Sequence, residues 1–592
     1  MNTAATTRQA APSPTAIAPS CQTGEPQAPH AGQPAPRFAP TPFFATIAGM
    51  KLPRAALLLP LLPALALAPR PAPAADYGAF LAAQYAASAG KLDLAASGIL
   101  AALNADPDNQ ELQRDAFGLA LLAGRPEAAR LAPSVPQNPV ALLLLADRQA
   151  RAGDWQGAEL AYAELPHDPF LDAVKPLLLA WAQQAQGHTD KALDSLQAGI
   201  GSGHMSAFYL LHAALIADVA HRDGLATRLY DQLAKNAGEP NVRLAQFLAS
   251  WQARSGQVSA AHATIEALAD ASPDLAIAIP GLLADIDRPQ VTDARQGIAE
   301  VYVGIAGALR RDDKTSLPAM VLQLALRMQP DLTEAHLVQA EMAGAVQHYA
   351  EAAAALAAVP ANDPLAALVQ LHLADDDARI GKTQEALALL DKLAVAYPSR
   401  PDALVQKGDL LVGDKKYTQA VDAYTQAIAR VPHPGKADWF LFYARGAALE
   451  RAHQWPQAEA DMQHALKLYP DQPVVLNFLG FSWAEQNRNL TQAHDMIQKA
   501  LDQRPSDGEI EDSLGWVLLR QGDTRQAVKV LEKAAEMMPV DPTITGHLGD
   551  AYWDAGRHLE AEDQWRRALV LNPDPEDAKR IEDRLNSADA GK

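Results

Sequence analysis

The stretch LGDAYWDAGRHLEAEDQWRRALVLNP, Leu548 to Pro573, sets Gly549, Ala561, Ala568 and Pro573 at offsets of 12, 7 and 5. The same marks stand 34 residues upstream at Gly515, Ala527, Ala534 and Pro539, and again at Gly408, Ala420, Ala427 and Pro432. Gly446 and Gly480, with Pro470 and Pro505, fill the interval between them. Two antiparallel helices approach closely only where a side chain is absent or is a single methyl, so Gly and Ala belong at their crossing. A proline at the end of the second helix removes a backbone donor and stops it. Large residues such as Leu548, Tyr552 and Trp565 fill the space that remains. Each such pair leaves an apolar face open that only the next pair can cover.

The phase runs further back. Ala352, Ala386 and Ala420 are 34 apart, and a second block has its own phase at Ala158, Ala192, Ala226 and Ala260, with Ala95 and Ala128 extending it upstream. Between the two blocks the period breaks, and IPGLLADIDRPQVTDARQG, Ile279 to Gly297, carries two prolines and two glycines. These marks predict an N-terminal block over 76–275, an irregular joint over 276–298 and a C-terminal block over 299–575. Residues 576–592 then place Ala578, Ile581 and Leu585 on one helical face with charges elsewhere, the pattern of a terminal capping helix.

Composition agrees with an all-α chain. Ala and Leu dominate a 49% hydrophobic content, and helix formers outweigh strand formers. The first 49 residues are rich in Pro and Ala and lack a periodic apolar face, which predicts a disordered extension or a mis-assigned start. From Met50 the sequence changes: Lys51 and Arg54 precede an apolar run from Ala55 to Ala68, and Ala72-Pro73-Ala74 stands ahead of Asp76. This is the layout of a secretory signal peptide over 50–75. A membrane anchor is the competing reading, but the run covers only about 14 residues and contains Pro60 and Pro63, where a span needs roughly 20.

Cys21 is the only cysteine and precedes Met50, so the predicted mature chain has no disulfide, thiolate nucleophile or zinc-thiolate site. Of 50 basic and 70 acidic residues, five and one lie within 1–75, leaving 45 and 69 beyond. So acidic a chain repels phosphate backbones and anionic lipid, which disfavours nucleic acid and favours a basic or neutral protein surface.

The marks resemble the tetratricopeptide repeat. Leu548-Gly549, Tyr552, Ala561, Trp565, Ala568 and Pro573 match nearly every mark of that family, Leu514-Gly515, Ala527, Ala534 and Pro539 match well, and Leu479-Gly480, Ala493, Ala500 and Pro505 match with one inserted residue. The resemblance spans residues 80 to 575, more strongly after 365. It implies an all-α, right-handed α-solenoid of stacked helical hairpins, about 13 to 15 of them, in two blocks. The C-terminal third also looks like exported repeat proteins of Gram-negative bacteria.

The resemblance further implies a concave groove lined by the first helix of each pair. Carried over position by position, it selects Tyr443, Arg451, Asn477, Phe481, Asp512, Trp516, Arg520, Asp550 and Trp553. An aromatic row with interspersed carboxylates and amides suits a peptide or helix, the apolar anchors supplying energy and the polar groups direction. For Trp516 and Trp553, packing against the neighbouring repeat is an equal alternative. The Lys and Asn clamp of chaperone-binding relatives is not matched, since Phe478 and Phe481 stand where it needs amides.

Motifs for chemistry are weak. Gly381-Lys382-Thr383 ends like a phosphate-binding loop, but Asp376 replaces the required glycine and no strand precedes it, so a turn is expected. The glycine-rich stretch from Gly199 to His204 falls where one repeat passes to the next. Sixteen scattered histidines include no His-Glu-x-x-His, Asp375, Asp376 and Asp377 read as a solvated helix face, and there is no Gly-x-Ser-x-Gly. No metal, cofactor or catalytic residue is expected. The expectation is a non-catalytic scaffold that binds peptide segments or partner helices in cell-envelope assembly or export, periplasmic and without a membrane span in the mature chain, or peripheral to an envelope complex. If Met1 is the start and blocks export, it is cytoplasmic. The alternative is a regulatory subunit of an envelope glycosyl or peptidoglycan enzyme, or such an enzyme with a cryptic site.

Overall fold

The computed structural model describes residues 77–201, 205–235, 241–310 and 316–590. The predicted extension over 1–49 and signal peptide over 50–75 lie outside the described residues, as do residues 202–204 of the glycine-rich stretch. Contacts divide the chain at residue 68, and everything below belongs to the second unit. Among the described residues there are thirty α-helices, three short 3-10 helices and no strand. No described helix is long and apolar enough to cross a membrane.

The helices pair into fourteen hairpins, from Tyr77–Ser88 with Leu92–Ala105 to Pro542–Asp554 with His558–Val570. Many first helices start at a side-chain cap: Asn138, Asp168, Asp507 and Asp541 each accept from backbone N–H groups of the turn that follows. Such a cap contributes about 1 kcal/mol. The glycine marks sit where the helices cross. A Cβ on Gly408 would lie 2.4 Å from Tyr424, on Gly515 2.5 Å from Leu531, and on Gly549 2.5 Å from Trp565. Each meets the large side chain of its partner helix 16 residues later, so the glycine is a steric requirement of the hairpin.

Where the described residues cover the turn, each hairpin passes through a residue in the left-handed region: Gly90, Gly124, Gly153, Gly187, His221 and Gly256 before the joint, then Gln347, Gly381, Lys415, His453, Asn487, Gly522 and Gly556 after it, with Asn489 a second such residue beside Asn487. Gly381 is thus a turn residue, as expected, and Lys382 bonds Asp377 rather than facing a phosphate cradle. One alanine mark is displaced. Ala260 is exposed, and Ala261 takes the buried crossing. The repeat is one residue longer there, as the step of 35 from His221 to Gly256 also records.

The joint does more than connect. Residues Ile277, Ala278 and Leu282 pack into the core of the second block, where a Cβ on Gly281 would lie 2.3 Å from the Pro364 carbonyl oxygen. The next hairpin, Ala294–Leu309 with Leu317–Met328, turns back into the core of the first block, beside residues as distant as Phe117 and Leu121. By shared core, residues from Ala294 to Ala335 belong with the first block, whereas Ala261, Ile265 and Leu268 upstream of the joint already join the second, so the two cores interleave along the chain. Helix Val242–Arg254 serves both cores: Ala245 and Ala249 face the second, Phe247, Leu248 and Trp251 the first.

At the C-terminal end, helix Pro575–Ala590 covers the last hairpin. Ile581 is fully buried beside Gly546, and Leu585 packs on the same core.

Candidate functional site

The concave side of each block is a possible binding surface, and the two differ in content. In the first block the chain itself fills it. Helix Ala294–Leu309 is buried from Ala294 through Ala306 at ten positions. Gly297 lies so close to the Trp181 indole, and Gly304 to the Phe208 ring, that a Cβ on either would sit 2.2 Å away. The Tyr302 hydroxyl donates to Asp147 at 2.9 and 3.0 Å, and the Tyr162 hydroxyl donates to the same carboxylate at 2.8 Å. Burial pushes the Asp147 carboxyl up to about 7, against the pull of the two hydroxyls and Arg151. The Trp181 indole N–H donates to His212 Nδ1 at 3.1 Å, and burial holds that imidazole down at about 3, hence neutral.

From one helix to the next, the returning segment runs backward along the first block: Ala294–Leu309 meets Trp181, Asp147 and Phe208, Arg327 of the following helix donates to the Arg125 carbonyl at 2.8 Å, and His348 contacts the Ser88 carbonyl at 3.2 Å. At the entrance, Arg243 is held by Glu300, by Glu334 at 3.2 Å and by Gln246 and Gln290 at 3.1 Å each. Burial opposes its charge, but the Glu300 and Glu334 carboxylates outweigh burial and keep it protonated. A polar cavity of about 230 Å³ opens beside this cluster, lined among others by Arg243, Asp285, Thr333, Glu334 and Asp363. Its charged groups are largely engaged: Asp363 accepts from Thr333 at 2.6 Å and from the Leu365 N–H at 2.8 Å.

In the second block, the sequence-selected residues fall into three groups. Tyr443 is half-buried, edge-on to Phe478 at 5.8 Å and tilted against Trp439 at 5.8 Å. Burial, with a smaller push from Glu509, raises its phenol to about 12. The second group meets around a residue that the sequence reading missed, His547. Its ring stacks on Trp516 at 4.2 Å, lies 6.1 Å from Phe481, and its Nδ1–H donates to Asp512 at 2.9 Å. Burial alone would deprotonate this imidazole, but Asp512 outweighs burial and raises it. The Arg520 guanidinium lies 5.8 Å over the Trp516 ring and is exposed, and Asn477 stands one turn before Phe481.

The third group faces the end of the array. Asp550 is buried, accepts from the Trp565 indole at 2.9 Å and pairs with Arg580 of the terminal helix at 2.5 Å. Trp553 lies 5.4 Å from Trp565 and 4.2 Å from His558. Arg451 is exposed, 3.8 Å from Glu450. Burial pushes the Glu450 carboxyl up; Arg451 and His453 oppose this, and Glu576 and Glu485 add a smaller push.

Two groove atoms have no hydrogen-bond partner. Asn477 Oδ1 and Trp516 Nε1 are enclosed and unpaired, a costly state in a buried site. Trp516 is 8% exposed and half-buried Phe481 stands beside the same His547 ring. His547 was missed because the carried-over groove positions skip it, although its 35-residue offset from Asp512 marks it as the next layer. The acidic run also departs from expectation. Asp375 pairs with Arg379 and Asp377 with Lys382, while Asp376 is half-buried and its carboxyl is pushed to about 7 by burial and its acidic neighbours. Among the described residues no three metal-ligating side chains converge.

The profile of the tetratricopeptide repeat family matches residues 371–437, 405–473 and 513–578. Residues 371–473 and 513–578 are tetratricopeptide repeats. A TPR repeat-containing protein of Pseudomonas aeruginosa is 30% identical over 216 residues, 36% of this chain and 34% of that one. Cellulose synthase operon protein C of Pseudomonas fluorescens is 24% identical over 485 residues, 78% of this chain and 36% of that protein. The chain thus spans about a third of the length of these curated relatives. Among solved structures, the Cut9–Hcn1 hetero-tetramer of the APC/C is similar over 87% of this chain and 97% of that chain, at 15% identity and a TM-score of 0.35.

Proposed function

We propose that this protein is a non-catalytic scaffold whose C-terminal groove holds a peptide segment or helix of a partner protein. The observation that carries the reading is the contrast of the two concave faces. The first is filled by helix Ala294–Leu309 of the same chain, an example in cis of what such a face accommodates. The second has a comparable aromatic lining in Tyr443, Phe478, Phe481, Trp516 and His547, together with an unpaired acceptor on Asn477 and an unpaired donor on Trp516. The carboxylates of Glu450, Glu485 and Glu576 favour a basic residue on the occupant.

The cell envelope is the proposed site of action, with residues 50–75 directing export to the periplasm. The likeness to a protein named for the cellulose synthase operon supports an assembly role beside a polysaccharide-export machine. The test is in-cell cross-linking followed by mass spectrometry, comparing wild type with a Phe481→Ala, Arg520→Ala double variant verified as helical by circular dichroism. Envelope partners captured by wild type and lost with the variant support the groove; the same partners on both proteins rule it out. N-terminal sequencing of the purified chain tests export. A start near Ala75 or Asp76 is expected, and an intact residue 2 would refute it.

A further inference from the structure

The two ends of the solenoid are finished differently. The C-terminal end closes with helix Pro575–Ala590, half of whose residues are charged. The first described helix, Tyr77–Ser88, carries no charged residue, and none occurs between Asp76 and Lys91. Its inner face buries Ala83 and Ala86 against the second helix of its hairpin. Its outer face exposes Tyr77, Leu81 and Tyr85 by 72%, 65% and 74%, one turn apart each. Exposed Gly78 and Ala82 lie beside this row. A repeat array needs a polar outer face at its end, and this end is apolar.

We infer that the helix Tyr77–Ser88 is a self-association surface, paired with the same helix of a second copy about a two-fold axis. Three features select a second copy over another occupant. The row reads Tyr, Leu, Tyr at equal four-residue spacing, so it is the same in both directions. An antiparallel pair places Leu81 on the axis and Tyr77 of one copy against Tyr85 of the other, as an isologous contact requires. Gly78 and Ala82 leave gaps beside that row, which let the helix axes approach and the large side chains interdigitate. Finally, the chain is strongly acidic, so two copies repel over most of their surface, and an uncharged helix is where they can meet. One 12-residue helix from each side gives a small interface, so association in the micromolar range is expected.

The test is sedimentation of the full chain across micromolar concentrations, beside Leu81→Glu, with circular dichroism as a control for folding. Wild type is expected to rise from one chain's mass to two, and Leu81→Glu to remain a monomer, its association weakened about tenfold or more. An independent variant, Leu81→Cys in a Cys21→Ser background, is expected to form an intermolecular disulfide on oxidation because residue 81 lies on the axis. Tyr85→Cys alone should not cross-link, whereas mixing it with Tyr77→Cys should. A wild type that stays monomeric throughout overturns the inference, as residues 1–76 or another protein would then be the cover. So does a dimer that Leu81→Glu leaves intact, or cross-linking of Tyr85→Cys to itself.

Discussion

Two concave surfaces built from the same kind of hairpin have opposite fates in this molecule. The N-terminal one closes on helix Ala294–Leu309 and becomes the inside of a hydrophobic core, with Tyr302, Gly297 and Ile298 fully enclosed or in close contact. The C-terminal one keeps Arg451 and Arg520 exposed and Phe481 and Trp553 half-buried. The difference teaches that the repeat defines a surface, and that what occupies it depends on where the chain goes next. The joint sends one hairpin backward into the first surface, and no described segment enters the second in that way.

The largest expected effect breaks the filled surface. Tyr302→Ala deletes a fully buried ring and one of two hydroxyls that hold Asp147, so a loss of about 4 kcal/mol is expected. Hydrogen exchange should show protection lost in residues 139–219 and 294–328 and retained after 439. Uniform loss would mean that the two blocks do not differ in this way.

The next pair of predictions separates the blocks by pH. Asp147 titrates in the fold at about 7, well above a free carboxyl. The folded state therefore holds this proton where the unfolded state has lost it. Its contribution is fully present below the unfolded value of about 4 and is lost as pH rises to about 7. Asp147→Asn should flatten that decline, as measured by denaturant unfolding at several pH values. His547 is raised by Asp512, so its contribution is complete below an unfolded value of about 6.5 and is lost only as pH rises through the higher folded value. His547→Gln should cost about 3 kcal/mol at neutral pH by leaving Asp512 buried beside a neutral group, with a much smaller cost in alkali.

Smaller still is the stability effect of emptying the open surface. Phe481→Ala removes a half-buried ring and should cost about 1–2 kcal/mol while abolishing partner capture. The smallest effect tests the turns. Lys415 and His453 adopt positive φ where sister turns use glycine, so Lys415→Gly and His453→Gly should each stabilise the second block by about 1 kcal/mol in thermal unfolding.

Much of the architecture was legible in the sequence because close helix crossings admit few residue types. Gly408, Gly515 and Gly549 are each jammed against one side chain, so their spacing carries the hairpin directly. The turn series was less legible, since Gly, His, Gln, Lys and Asn all occupy it. Ala260 shows the limit of counting, as one extra residue in the repeat moves the buried position to Ala261. In the groove, Phe481, Asp512, Trp516 and Arg520 do come together, but through His547, whose place depends on the stacking of one layer on the next. Asp550 and Trp553 turn instead toward Trp565 and the terminal helix.

The sequence by itself determined the all-α hairpin array, its period and its C-terminal cap, because each follows from contacts between residues close along the chain. Only the tertiary structure decided that the first groove is occupied and that Asp147, Tyr162 and Tyr302 share one buried site. Tyr302 and Asp147 are 155 residues apart, and no local spacing encodes a meeting at that distance. It is fixed by the path of the joint, and that path is set by the packing of Gly281 on one block and Gly297 on the other.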